Sequence, residues 1–550
     1  MFPSLYFLAV HAIRRAQVRK EGASLKGMLR QTLTRFRLVL ILMTGVAVAA
    51  VLLATGVGQA REETTVSKDG SVSVRSVIPD EPDGEPVRHL IPLRDGVRVK
   101  PILSTGDIVS DPFGTRNEYQ MSGIPDGLGA YKNASGMLKL FMNHELDSTP
   151  PDSPANVGAR VSWLTIDPAT LSVKRASYPL TGQEGFLRFC SATLRHINGT
   201  PMYFTGEETT DEGALTGDTT DGLGRGGSSI ALNADTGEHR ETRHFGLLPH
   251  ENVVPIKGLA RADFITTEDG DAPIVGDPDA DPEVNESQLY SYLAPTFGGA
   301  ISGNQGSLYA WKANAGQGQD NDPSTDDIKQ GEALSGHFVR IPQRYNSDAA
   351  ELEATAQRMD TFDFIRLEDA AVSKTRPNVL YITDTGSNPV GTPGSETRHG
   401  RLYKLTINKD DPRNATLRLL LDGDADNGAP RMTNPDNLDT SENSAVIQED
   451  RNSEYRQADD PGNGYGRVLV YNLESKGLRS VARVNTPANL EPGTWESSGV
   501  INAHNLLGDD QWLLDVQAHS LPEEQPGPSL TPDSGMGEDG QLLRIKIPNT

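Results

Sequence analysis

Six short polar clusters, one of them holding the chain's only cysteine, carry most of the chemistry this sequence can offer. Cys190 is alone among 550 residues, so it cannot close a disulfide within the chain and is either a buried hydrophobe, paired to another chain, or reactive. Ser191 and Thr193 stand beside it, and Glu207-Glu208 end the next apolar run. A thiolate close to carboxylates is stable only where a cation offsets the charge, which favours a ligand role for Cys190. The other clusters are Asn143-His144-Glu145, His250-Glu251, Arg366-Leu367-Glu368-Asp369, Pro435-Asp436-Asn437-Leu438 with Gln448-Glu449-Asp450 behind it, and Gln517-Ala518-His519. Taken singly, each carboxylate reads as a solvated loop residue and Asn-His-Glu is too short to be specific. Their succession, each offering His, Glu, Asp or Asn at a comparable place, points to one shared site.

The elements that must position these clusters are short strands. Alternating apolar residues over 201–205, 378–383 and 511–516 each run into a polar or acidic loop, and second strands follow at 228–232, 400–405 and 540–547. Further second-strand copies lie at 287–293, 306–311 and 466–473. Gly (55) and Pro (36) are plentiful without a strict period, as turns between many short strands require. Strand pairs of one design separated by acidic loops predict an all-β fold, a β-propeller over residues 90–550, because a single blade cannot cover its own faces. Equivalent loops of a propeller emerge at one end, so the polar clusters are expected to converge there. Residues 61–89 read as an exposed lead-in, and 312–335, 451–465 and 521–539 as long surface loops.

Charge excludes one class of partner. The formal net charge is −24, and residues 61–550 carry 43 basic against 74 acidic residues, which argues against nucleic acid. Such a surface serves solubility and can also gather hard cations such as Ca²⁺. No Walker P-loop is present, and the Gly-rich stretch 221–227 is not followed by a helical pattern, which argues against nucleotide binding. Residues 38–57 form an almost unbroken apolar run preceded by Arg30, Arg35 and Arg37. They are expected to act as an export signal ending near Ala60, or as an uncleaved membrane tether, with the body periplasmic or extracellular in either case.

The order of the clusters resembles the PhoX family of alkaline phosphatases. The likeness runs from PDGLGAY (125–131) and NHE (143–145), through the Cys-x-x-Thr to Glu-Glu segment (190–208), G-x-x-x-H-E (246–251) and R-x-E-D (366–369), to PDNL (435–438), E-x-x-G (496–499) and the VQ-x-H strand end (516–519). The resemblance implies a six-bladed propeller holding ferric iron (Fe³⁺) and calcium (Ca²⁺). It assigns Cys190, Glu251 and Glu368 to iron, and Glu145, Glu208, Asp436 and Asn437 to calcium or to the hydrogen bonds around it. Arg366 resembles the family's phosphate-binding arginine. The implied reaction is metal-assisted hydrolysis of small phosphomonoesters, with His144 and His250 either protonating the leaving alkoxide or orienting neighbouring carboxylates. No protein partner is implied. The chain departs from the family after the cysteine, where a Thr-Pro-Trp is expected and Thr200-Pro201-Met202 stands, so it is expected to be a divergent member with altered substrate preference and calcium content. Two other readings stay open: a non-catalytic, calcium-stabilised propeller that binds a partner or surface polymer, and a calcium-only propeller of the phytase or lactonase kind. Neither requires Cys190.

Overall fold

Runs such as Val379–Asp384, rich in β-branched and aromatic residues, suit a pleated surface, and this strand is buried along its whole length because neighbouring sheets cover it. A computed structural model describes residues 74–75, 87–110, 118–147, 158–210, 226–270, 287–303, 305–315, 328–342, 349–386, 399–425, 430–450, 464–487, 490, 492–519 and 538–550. The apolar run at 38–57 and most of the lead-in lie outside the described residues. Among them, no helix is long and apolar enough to cross a membrane.

The fold is a β-propeller. Six strands occupy its centre: Pro125–Lys132, Phe189–Ile197, His250–Ile256, Leu367–Val372, Pro435–Thr440 and Glu496–Asn502. Each packs on the next and the last packs on the first, closing a cycle. From each inner strand an antiparallel sheet runs outward, so that Pro125–Lys132 is followed in space by Leu138–His144, Arg160–Ile166 and Val173–Leu180. The third and fourth groups are not separate sheets. Ala333–Arg340 pairs with Ser307–Ala313 on one side and Asn414–Asp422 on the other, joining them into one nine-stranded sheet.

Two early strands complete the last two sheets. Leu90–Pro92 pairs with Leu478–Val484, and Arg98–Ser104 pairs with Asp539–Lys546. Leu90, Val97, Trp495, Trp512, Leu514 and Leu543 share one apolar cluster there. Fully burying an aliphatic side chain of this size stabilises by roughly 1.5–3 kcal/mol, so a few such contacts hold the seam. The seam also takes in His89, expected at the end of the lead-in. His89 is fully buried against the Trp495 ring, with centroids 4.9 Å apart, and its backbone N–H donates to Gln541 Oε1 at 2.9 Å. The partners lie more than four hundred residues away, out of reach of any local pattern.

Candidate metal centre

Five inner strands share one irregularity. Their ladders skip between Pro125 and Leu128, Phe189 and Ala192, His250 and Val253, Leu367 and Ala370, and Pro435 and Leu438. Two residues in each therefore stand outside the pairing: Asp126-Gly127, Cys190-Ser191, Glu251-Asn252, Glu368-Asp369 and Asp436-Asn437. A bulge re-aims side chains, and here the first residue of every pair is an acid or the cysteine. In the sixth strand the shift falls at Gly499, φ 42°, where a Cβ would sit 2.7 Å from the Asp126 carbonyl oxygen, so only glycine fits.

A second tier comes from the neighbouring strands. The backbone N–H groups of Glu145, Glu208, Asp269, Thr385 and Asp450 donate to the carbonyls of Ile124, Arg188, Pro249, Arg366 and Asn434, at 3.0, 2.8, 3.0, 2.8 and 3.0 Å. These bonds establish that Arg188 and Arg366 hold equivalent places, each one residue before a bulged inner strand, on either side of the strand that begins at His250. Arg188 sits at φ 47°, a left-handed conformation that costs a branched or long side chain energy and marks a constrained position.

Together the tiers make three overlapping ligand groups: Asp126, Glu145 and Cys190; Cys190, Glu208 and Glu251; and Glu251, Glu368 and Asp436. Within each group the ligand atoms lie within 4.8 Å of one another. Neither carboxylate oxygen of Glu251, nor Oδ1 of Asp436, has a donor in hydrogen-bonding geometry among the described residues. Burial first, and then neighbouring negative charge, holds Glu251, Glu368 and Asp436 well above the usual carboxylate range and pushes Asp126 up to about 7. Burial and the charges of Asp126 and Glu251 also raise the Cys190 thiol, which donates to Asp126 Oδ2 at 3.0 Å. Acids this close resist ionising together, and a cation among them reverses that preference. The donor set therefore fits bound cations: hard oxygens throughout and one soft sulfur shared by two groups.

Two arginines close over these acids. Arg188 reaches Glu145 through Nε at 3.2 Å and Glu208 through Nη2 at 3.1 Å. Arg366 grips Asp269 with Nε and Nη2 at 2.9 and 2.8 Å and lies 3.2 Å from Glu368. Gln517 donates to Asp126 at 3.0 Å and Glu145 at 2.9 Å.

Two histidines expected at the site are placed otherwise, and Asn437 hydrogen-bonds a ligand acid. His144 is fully buried, with Nδ1 2.9 Å from the Gly123 carbonyl and Nε2 2.6 Å from Ser162 Oγ. It ends the second strand of its sheet, the place where Glu207, Asp384 and Glu449 accept backbone N–H bonds from Leu187, Ile365 and Thr433. His144 thus anchors the chain entering the inner strand, and burial pulls its pKa down to about 3, so it stays neutral. His250 donates Nε2–H to the Gly246 carbonyl at 3.0 Å and packs on Gly206, where a Cβ would come within 2.4 Å of its own. Burial lowers it to about 4. Asn437 spends its amide on Asp126 (3.2 Å) and Ser191 (2.7 Å) and accepts from Ser498 Oγ and the Gly499 N–H, so it ties three other inner strands to its own. Cys190, Glu145, Glu208, Glu251, Glu368, Asp436 and Arg366 are brought together. Asp126, Asp269 and Arg188 were missed as functional residues. For Asp126 the available signal was an acid or thiol recurring at the second position of five of the six inner strands.

No family model matches the chain, and no curated protein matches it. Similar solved structures include the α-L-arabinofuranosidase Arb93A from Fusarium graminearum, with TM-score 0.37, 10% identity, and 78% of this chain and 94% of that one covered. The NanB sialidase from Streptococcus pneumoniae overlaps with TM-score 0.35 and 8% identity over 78% of this chain and 68% of that one. A luciferin-regenerating enzyme gives TM-score 0.32 and 10% identity over 78% and 94%. Overlaps this loose assign no activity, and the propeller assignment rests on the chain's own cyclic strand order.

Proposed function

We propose that the chain is a metal-dependent phosphoester hydrolase whose cations are held by Asp126, Glu145, Cys190, Glu208, Glu251, Glu368 and Asp436. The observation that carries this reading is the set of three ligand groups sharing Cys190 and Glu251, roofed by two arginines at equivalent positions. Bound cations, iron beside the sulfur and calcium among the oxygens, would supply Lewis-acid polarisation of a phosphoryl group and activation of water. The protein's own part is positioning. Arg366, held in orientation by its paired bonds to Asp269, would present its remaining N–H groups to the phosphoryl oxygens as charge builds in the transition state, with Arg188 at the equivalent place across the strand that begins at His250. Gln517 and Asn437 fix Asp126, and the buried walls limit water. His144 and His250 act through the backbone they anchor. Export through residues 38–57 belongs to the same reading.

A calcium-stabilised propeller without iron is favoured by one observation: Cys190 as a neutral thiol already has an acceptor in Asp126. Elemental analysis of the purified full chain, beside Cys190→Ala, with p-nitrophenyl phosphate turnover on both, separates the two. Iron and turnover that disappear together in the variant support the phosphatase. Calcium without iron, and no turnover in the parent, overturns it.

A further inference from the structure

The inner strands enclose a second polar space that contains none of the residues of the three ligand groups. A cavity of about 160 Å³ is lined there by Thr193, Arg195, Asn252, Asp369, Lys374 and Asp439, among others. Arg195 is five residues beyond Cys190 on the same strand, about 16 Å at the rise of an extended chain, so the two sites are distinct.

The cavity's lining charges balance, Arg195 and Lys374 against Asp369 and Asp439, but both acids are already engaged. Asp439 is already engaged: both oxygens meet Lys374 Nζ, at 2.6 and 3.0 Å, and the N–H groups of Thr440 and Asn502 donate at 2.7 and 2.8 Å. Asp369 is equally occupied, by the Asn252 amide and by the N–H groups of Ala370 at 2.6 Å and Leu438 at 2.9 Å. Arg195 has no hydrogen-bond or ion-pair partner among the described residues, and Asp439 acts on it only through space. Lys257, whose ammonium caps the His196 carbonyl, adds a like charge beside it. A guanidinium offers five donors in a fixed fork, and with none taken by a protein acceptor the half-buried Arg195 leaves them open to a ligand.

We infer that this space binds a small tetrahedral oxyanion of the phosphate or sulfate type, with Arg195 as principal donor and Lys374 and Lys257 supplying further charge. The cavity admits an ion with a few waters, not a bulky tail. This site does not depend on the hydrolase reading, since none of its residues belongs to the ligand groups.

The test is isothermal titration of the full chain with inorganic phosphate and, separately, sulfate, in the parent and in Arg195→Gln, Lys374→Gln and Arg366→Gln. Arg195→Gln should weaken one binding event about tenfold or more, as loss of a charge-assisted hydrogen bond does. Lys374→Gln should weaken the same event, and Arg366→Gln should leave it intact. Arg195 has no protein partner to lose, so its variant should melt with the parent in the absence of anion, and Lys374→Gln tests the site if it does not. Absence of any binding event in the parent overturns the inference. So does phosphate binding that survives Arg195→Gln and Lys374→Gln and vanishes in Arg366→Gln, because that ion would sit among the carboxylates.

Discussion

Glu251 belongs to two of the three ligand groups, and replacing it with Gln has different consequences with and without divalent cations. Its carboxylate is fully buried without a donor, and burial together with Asp126 and Asp269 opposes its ionisation. In chelator, Glu251→Gln removes that burden and supplies an amide that can donate to the neighbouring acids, a gain of about 1–3 kcal/mol. With cation at a hundredfold excess over Kd, the parent gains about 2.7 kcal/mol per occupied site. A tenfold loss of affinity in each group that shares Glu251 takes back about 1.4 kcal/mol apiece. Unfolding a unit spanning Val66–Thr550 carries an entropy of roughly 1 kcal/mol per kelvin, so each kcal/mol moves Tm by about 1 °C. Differential scanning calorimetry of parent and variant, in EDTA and in millimolar calcium, should therefore show the variant melting about 1–3 °C higher in the first and, with the two losses offsetting that gain, from about level to about 2 °C lower in the second. A shift of the same sign and size in both buffers would refute a cation-binding role for Glu251.

Three other perturbations probe neighbouring parts of the argument. His144→Ala should lower stability by about 1–3 kcal/mol through loss of its bonds to Gly123 and Ser162 while leaving metal content unchanged; lost turnover at unchanged stability would restore a catalytic role. Burial alone pulls His89 to about 3 from an ordinary 6.5, so the unfolded chain binds the extra proton between those values and stability falls as pH drops through that window. His89→Phe should remove up to about 1.4 kcal/mol per pH unit of that slope, read from urea midpoints between pH 4 and 8, and an unchanged slope would contradict the burial. Arg188→Gln should raise KM for a phosphomonoester about tenfold, with partial recovery in Arg188→Lys, and unchanged kinetics would remove Arg188 from the site.

The propeller was legible because apolar runs recur before polar or acidic loops: Val379–Asp384 and Gln511–Ala518 lie within a residue or two of where the pattern places them. The inner strands were harder to see. Glu251, Glu368 and Asp436 were read as loop residues, yet they lie on strands, and the bulge that turns them toward one another interrupts the very alternation by which strands are recognised. Composition could not separate His144 from Glu145, since adjacent residues of one motif serve anchor and ligand. Arg188 and Asp269 gained meaning only from spatial neighbours, and Leu90–Pro92 only from a partner at the far end of the chain.

That last pairing governs how the molecule comes together. Arg98–Ser104 can find its place only after Asp539–Lys546 exists, so the earliest strands of the ring wait for the latest. Joining points some 440 residues apart costs about 5 kcal/mol of chain entropy by the logarithmic law for loops, and that cost falls before the apolar seam around Trp512 is gained. Ring closure is thus a late, slow event, dominated by contacts between residues distant in sequence. Until it occurs, Leu90, Val97 and Leu103 remain exposed to water, which makes the interval before closure the stage at which this chain is most prone to self-association.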